Sequence, residues 1–367
     1  MAVTAVVVNY HTRSMVESLI NDLAGESLVE AVILVDNSGE CRDVFGNGET
    51  KFGKKILPEF VKHVAPQKNI GFGAGVNRGV THVKSDWILV INPDMKVPPG
   101  AVLALVQGAR EVGAVLAGPR FFWDDDMTFR LPPALGGAGW MDYALASQAC
   151  YQLDAEYLSF FWQIRHDRFW STPQPFVEPF LSGACMLVDR RWAASRFSAG
   201  QGVFDPRFFM YYEDTDLAAR ACLEGNPPVC VPASVMIHYY NQSPEAGVSK
   251  SQMMAHSQTL FRERYYPDAP VPKPLASAGY RPACVDLGVI SPGHGFVSAD
   301  GGTEGLFFEI GVSPFFVPFI QLPLLPGLPE GVVLPGAVWD RLVPGTYFAR
   351  FRSQLKGVKE VWQWRKK

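Results

Sequence analysis

Residues 205–217, DPRFFMYYEDTDL, set Phe208, Phe209, Tyr211 and Tyr212 directly before Glu213, Asp214 and Asp216. A solvated charge run does not ordinarily follow four large aromatics. A helix that begins in a pocket wall does, and its positive end would keep nearby carboxylates ionised. A second set of residues suited to chemistry is INPDM (91–95). In a strand that ends there, Asn92 and Asp94 share one side, because alternate residues share a face. A carboxylate with a polar neighbour in that place can hold a hard divalent cation that bridges phosphate oxygens. Asn-Pro-Asp is equally good turn chemistry. A third set is NIGFGAGVNRG (69–79). Glycines opening a helix offer backbone N–H groups to a phosphate, but Gly71, Gly73, Gly75 and Gly79 miss the dinucleotide spacing and do not follow the first strand. A tight helix start that needs small residues explains them as well.

The elements that must position these residues are legible as alternating apolar runs and helix-like segments. TAVVVN (4–9) reads as a buried strand, and residues 11–23 as a helix that Thr12 or Ser14 could cap. AVILVDN (31–37) is a second strand ending in an acid, and KHVAP (62–66) a weaker third. Residues 73–83 form a helix, DWILVINPD (86–94) a fourth strand, 100–110 a helix and 113–118 a strand. This alternation predicts an α/β fold, a doubly wound, mostly parallel sheet with helices on both faces. Such sheets bind ligands outside the C-terminal strand ends, at the switch point, and Asn9, Asp36 and Asp94 all fall at such ends.

Residues 119–178 lose the periodicity. SGACMLVD (182–189) restores a strand, a helix starts near 213, VCVPASVMIHYY (229–240) reads as two short strands around Pro232, and 251–267 closes with a helix stopped by Pro267. After about residue 275 the texture turns to Pro, Gly and short apolar pieces. The expected division is 1–270 and a small β-rich C-terminal module, 275–367, that ends in an amphipathic helix from about 353.

The 367 residues are 48% hydrophobic, enough for more than one domain. A net charge of −3 gives no general pull toward nucleic acid. The six cysteines show no paired spacing, so reduced thiols in a cytoplasmic protein are expected. The start, MAVTAVVVN, has neither the basic stretch nor the cleavage site of a signal peptide. SPFFVPFIQLPLLPGL (313–328) is broken by four prolines and does not read as a membrane span.

Taken in order, NYH at the first strand end, VDNS (35–38), NIGFGAGVNRG, NPD, FMYYEDTDL and His238 resemble the family 2 glycosyltransferases of the GT-A fold, most closely their rhamnosyltransferase-like branch. The resemblance covers roughly 3–266. It implies an inverting transferase that moves a sugar, L-rhamnose from dTDP-L-rhamnose, onto a hydroxyl of a growing or lipid-linked cell-surface glycan. It also implies a site. Tyr10 and Asp36 would hold the nucleobase, beside Asn9 at the first strand end. Asn69, Gly71 and Asn77 would line the nucleotide pocket. Asp94 and His238 would hold Mn²⁺ or Mg²⁺, with Asn92 standing where the family has a first aspartate. Asp214 would be the general base and Glu213 would orient it or bind sugar hydroxyls. The four aromatics would wall the sugar pocket, with Ser182 and Gly183 at its floor. Asp216 reads as ordinary first-turn capping.

Two other functions remain to be weighed. A sugar-phosphate nucleotidyltransferase would place a Gly-rich basic loop after the first strand, and NYHTRS has no glycine. A non-catalytic carbohydrate-binding protein would have no need of Asp94, Asp214 and His238 together. The C-terminal stretch RFRSQLKGVKEVWQWRKK, read as a helix, carries a stripe of Leu355, Val358 and Trp362 beneath many basic residues. Such a segment could lie peripherally on an anionic membrane at the cytoplasmic face, dock on its own module, or meet a second subunit in a homo-oligomer.

Overall fold

The structure is a computed structural model. It describes all residues except 46–48, 53–54, 59, 137–151, 199–201, 241–248, 269–281, 298–305, 325–330 and 354–356. The chain forms two compact units: Met1–Arg120 with Thr172–Ala269, and Phe121–Ser171 with Pro270–Lys367. The C-terminal part thus groups with Phe121–Ser171, a stretch expected within 1–270.

The first unit is built on a nine-stranded sheet. Its strands are β1 (Val3–Asn9), β2 (Val29–Asp36), β5 (Val61–Val64), β6 (Trp87–Ile91), β7 (Met95–Lys96), β8 (Leu116–Phe122), β9 (Phe176–Val177), β10 (Cys185–Asp189) and β11 (Val229–His238); β3 (Glu49–Phe52) and β4 (Lys55–Pro58) form a separate hairpin. The order is β5-β2-β1-β6-β10-β8-β11-β7, with β9 beside β11. The pairs β5–β2, β2–β1 and β1–β6 are parallel. Pairing turns antiparallel from β6 to β10, from β10 to β8, and at β11 with β7 and β9. β1 is buried along its whole length, so VTAVVVN is an unbroken run rather than an alternating one. The chain winds outward from β1 to β2 and β5, then returns to β6 on the other side of β1. That reversal is the switch point, and the ends of β1 and β6 open onto it.

Helices cover this sheet. On α1 (Arg13–Ala24), Val16, Leu19, Ile20 and Leu23 recur on one face and are buried. Helix α2 (Arg42–Phe45) is a single turn. α3 (Phe72–Val80) lies close on β1 and β2 because Gly75 and Gly79 stand over Val8, Val6 and Val35. The glycine-rich segment therefore serves packing. α4 is Ala101–Glu111. Two helices have no clear signal in the sequence. α5 (Gln152–Ser171), which belongs to the second unit, buries Leu158, Trp162, Phe169 and Trp170 yet exposes Tyr157, Phe160, Phe161 and Ile164, so no single stripe marks it. α6 (Arg190–Ser198) is the other. α7 (Glu213–Leu223) and α8 (Lys250–Tyr265) complete the unit, α8 with a capping box between Ser249 and Gln252. Pro232 does not divide its segment: Val229–His238 is one ten-residue strand.

The second unit holds a five-stranded sheet of β12 (Val285–Val289), β14 (Leu306–Gly311), β15 (Phe319–Pro323), β17 (Gly345–Ser353) and β18 (Gly357–Lys366), ordered β12-β18-β17-β14-β15. A two-stranded sheet pairs β13 (Gly295–Val297) with β16 (Gly331–Val333), and α9 spans Gly336–Arg341. The expected terminal helix is absent. Residues 357–366 are a strand antiparallel to β17, with Tyr347 opposite Trp364 and Ala349 opposite Trp362. Period-two alternation sends both tryptophans into the core, with Trp364 fully buried, so they offer no aromatic face to a membrane. Leu355 lies outside the described residues. Among the described residues, no helix is long and apolar enough to cross a membrane.

Candidate active site

Three chain segments meet beyond the β6 end. The segment after β6 carries Asn92 and Asp94, and the Asn92 N–H donates to the Ala184 carbonyl (2.8 Å) just ahead of β10. The short β7–β11 pairing sets His238 opposite Met95, which brings the imidazole beside Asp94. His238 Nε2 and Asp94 Oδ2 are 3.6 Å apart, and both residues are buried. An imidazole nitrogen and a carboxylate oxygen converging at that separation fit two ligands of one divalent ion, and an imidazole suits Mn²⁺ better than strict Mg²⁺ selection. Among the described residues no third His, Cys, Asp or Glu joins them. The other ligands would have to be diphosphate oxygens and water.

The acid pair stands at the start of α7. Asp214 Oδ2 accepts from the Gly183 N–H (2.9 Å) and Oδ1 from the Thr215 N–H (2.7 Å), so two backbone donors aim the carboxylate. A Cβ on Gly183 would come within 3.2 Å of Asp214 Cβ, and so the small residue there makes room for the acid. Burial raises the Asp214 pKa, with those N–H groups working against it. Glu213 is buried, and its Oε2 has no hydrogen-bond partner among the described residues. Burial, then the Asp214 charge, pushes its pKa well above the ordinary glutamate value. The result is an aimed carboxylate beside a second carboxyl that holds its proton more tightly than an ordinary glutamate.

Asp216 is no helix cap. It is fully buried and bonded to Arg220 (2.8 Å), Arg264 (2.9 Å) and the Tyr265 hydroxyl (2.9 Å), an ionic hub joining α7 to α8. Phe208 is in the core, whereas Phe209 is 41% exposed and Tyr211 and Tyr212 half-buried.

At the β1 and β2 ends the polar side chains bond within the chain. Asp36 is fully buried. Its Oδ1 accepts from Asn9 Nδ2 (2.9 Å), the Ser38 hydroxyl (3.0 Å) and the Gly39 N–H (2.9 Å), and its Oδ2 accepts from the Cys41 N–H (2.9 Å) and faces His63 Nε2 (3.2 Å). Burial alone would raise its pKa, but the bonds from His63, Asn9 and Cys41 outweigh it and hold the group well below the ordinary range. With both oxygens engaged, Asp36 organises the loop after β2. Asn9 is likewise buried, accepting from Thr12 and donating toward Asp36 and Glu40. Asn77 spends its whole amide on the backbone of Val203 and Phe204. Asn69 Oδ1 accepts from the Gly71 N–H (2.9 Å), shaping the turn into α3. Gly71 has φ +85°, and a side chain there would run into the Phe209 carbonyl. Tyr10 stays half-buried beside His11, ring to ring at 4.5 Å.

Two residues missed by the sequence reading stand out. Asn37 donates to the Gly71 carbonyl (3.1 Å) while its buried Oδ1 has no partner among the described residues. It follows Asp36, so strand alternation should have directed attention to it once the acid was known to face inward. The Tyr240 ring lies tilted against that of His238, centroids 4.5 Å apart, and its phenol lies within electrostatic reach of Asp214 and Asp94. It is two residues beyond His238, but its left-handed backbone, φ +62°, leaves no trace in the sequence.

The family model described as Glycosyl transferase family 2 matches residues 4–196. The N-acetylglucosaminyl-diphospho-decaprenol L-rhamnosyltransferases of Mycobacterium tuberculosis strains CDC 1551 / Oshkosh and ATCC 25618 / H37Rv are each 31% identical to the chain over 217 residues. That match spans 53% of this chain and 63% of each relative, less than two thirds of their length. Among solved structures, GalNAc-T7 with UDP, GalNAc and Mn²⁺ is 14% identical with a TM-score of 0.50, covering 73% of this chain and 48% of that one. At that identity the likeness concerns the fold.

Proposed function

The chain belongs to glycosyl transferase family 2, and on that premise we propose that it is an inverting glycosyltransferase acting on a hydroxyl of a growing cell-surface glycan. The proposed donor is dTDP-L-rhamnose and the proposed acceptor a polyprenyl-diphosphate-linked glycan. The names of the Mycobacterium relatives support the sugar and the lipid-linked acceptor. The observation that carries the reading is the meeting of Asp94, in the turn after β6, with His238, at the end of β11, at the sheet end that also bears the Asp214 turn.

In this mechanism Asp214, aimed by the Gly183 and Thr215 N–H groups, takes the proton of the acceptor hydroxyl as that oxygen attacks the anomeric carbon. The bond from that carbon to the nucleoside diphosphate breaks, its electron pair leaves with the diphosphate, and configuration inverts. A raised pKa makes Asp214 a better base than an ordinary carboxylate. Glu213, held protonated, donates a hydrogen bond to a sugar hydroxyl. Asp94 and His238 would hold a divalent ion, which when bound would supply positive charge to the diphosphate. Tyr10 stacks on the base, and Asn37 Oδ1 accepts the imino N–H that thymine and uracil share. Cytosine, with no such N–H, would leave that oxygen unpaired.

Calorimetric titration of dTDP and UDP into the purified chain tests the donor end. Binding should require Mn²⁺ or Mg²⁺, vanish in chelator, and fail in Asp94→Ala and His238→Ala. Equal affinity with and without metal would remove the assigned ion site.

A further inference from the structure

Tyr211 and Tyr212 have φ of +70° and +65°, two consecutive aromatic residues in the left-handed region directly before the acid pair. L-residues with large side chains rarely adopt this conformation even singly. Such strain persists only where the surroundings over-determine it, and here they do. One face of α8 grips the segment at several points. The Ser257 hydroxyl donates to the Met210 carbonyl (2.8 Å), and the Phe261 ring meets the Tyr212 ring at 5.5 Å. Arg264 reaches Asp205 and Asp216, each at 2.9 Å, and so closes the segment from its beginning to the first turn of α7. The Tyr265 hydroxyl adds a bond to Asp216 (2.9 Å). Residues 257, 261, 264 and 265 recur at helical spacing, so the grip comes from one stripe. From the opposite side, the Phe72 N–H at the start of α3 donates to the Phe209 carbonyl (2.9 Å).

We propose that Tyr211 and Tyr212 form a strained turn, locked by α8, whose function is to aim Asp214 at the acceptor hydroxyl. They are positioning residues for transfer, as are Ser257 and Phe261. This rests on the reading of Asp214 as the base. The turn could have been built without strain from glycines, which enter the left-handed region freely but do not stay there. Tyrosines held by ring packing give one geometry, and misplacing a catalytic group by about 1 Å can cost on the order of 100-fold in rate.

The test compares wild type, Tyr212→Gly, Tyr212→Phe and Ser257→Ala by kcat, donor KM, calorimetric donor affinity and melting temperature. Tyr212→Gly should lose roughly 10- to 100-fold in kcat, with donor affinity within about twofold of wild type. Tyr212→Phe, which keeps the ring against Phe261, should recover most of that loss. Ser257→Ala should lower kcat in the same sense, and the double variant Tyr212→Gly with Ser257→Ala should lose less than the product of the single losses, because both act on one turn. The proposal is overturned if Tyr212→Gly turns over at the wild-type rate. It is also overturned if kcat, donor affinity and melting temperature fall in step in every variant, the pattern of a merely structural contact. Wild-type protein that transfers no sugar from any nucleotide donor would refute the functional reading itself, and with it this proposal. Active wild type with equally active variants refutes the positioning role alone.

Discussion

Replacing Asp214 by asparagine changes one oxygen to an amide nitrogen at nearly constant shape. The two carboxylate oxygens accept from the Gly183 and Thr215 N–H groups at 2.9 and 2.7 Å, and asparagine can satisfy only one of them. The other donor then faces an NH₂ group, a loss of about 1–3 kcal/mol. Opposing that, burial disfavours the charged form of Asp214, so a neutral amide sheds an unfavourable term. The two effects partly cancel, and the variant should fold with its melting temperature lowered by a few degrees at most. Turnover should behave otherwise. An amide cannot take a proton, and loss of a general base costs roughly 10²–10⁴ in rate. Transfer of radiolabelled sugar to acceptor measures kcat, and calorimetry with nucleoside diphosphate shows whether the donor end is intact. The pH profile adds a second arm. A base must be ionised to act, so wild-type activity should rise with pH through a midpoint above the ordinary aspartate value of 3.8, the direction in which burial moves this group. The residual activity of Asp214→Asn should lack that limb. Turnover within tenfold of wild type, or an unchanged acid limb in the variant, would refute the assignment.

Glu213→Gln tests the protonated neighbour. A carboxyl whose folded pKa is raised stabilises the fold while protonated and loses that contribution as pH rises through the folded pKa; thermal melts of Glu213→Gln should therefore gain on wild type as pH increases, and parallel melts would show that Glu213 is already ionised. At the nucleotide end, Asp36→Ala should lower thermal stability because it strips a buried acceptor from five donors. Asn37→Ala should instead weaken dTDP and UDP binding by about 0.5–1.5 kcal/mol with little change in melting, and the reverse pattern in calorimetry and melts would restore Asp36 as the base reader. In the second unit, Glu309 is fully buried between Arg350 (2.7 Å) and Arg352 (2.6 Å), and Glu309→Ala should cost about 3–5 kcal/mol in a urea titration by stripping the buried Arg350 guanidinium of its carboxylate, while Arg352 keeps its pair with Asp167. A loss below about 1 kcal/mol would mean that water reaches that guanidinium.

The parallel core was legible because its strands are largely apolar runs with a polar residue at or just after the end, Asn9 in VTAVVVN and Asn92 after WILVI. The acid-rich helix start was legible too, since an aromatic block before carboxylates has few other uses. Polar residues at strand ends were harder. Asn9, Asp36 and Asn77 have the types that bind nucleotides, and each also bonds within the chain, in the case of Asn77 to a partner 127 residues away. Nothing local distinguishes an amide that faces a ligand from one that ties down backbone. The C-terminal strand was misread because a tryptophan-containing run with Val358 and Trp362 four apart fits either period, and only its pairing with β17 decides. The strained tyrosines were illegible for a stronger reason. Left-handed φ in an aromatic is imposed by tertiary contacts against local preference, so sequence reasoning must fail where the turn is held from outside.

The central claim is sugar transfer from a nucleotide donor through Asp214 at a metal-dependent site. It is tested most directly by incubating the full chain, Mn²⁺ and a polyprenyl-diphosphate-linked N-acetylglucosamine with a panel of dTDP- and UDP-sugars, and measuring both the glycosylated product and the nucleoside diphosphate released. The account predicts product from dTDP-L-rhamnose, in equal amount to the released dTDP, abolished by chelator and by Asp94→Ala and reduced at least 100-fold in Asp214→Asn. Transfer that survives chelation and all these substitutions, or no transfer from any nucleotide sugar, would contradict it.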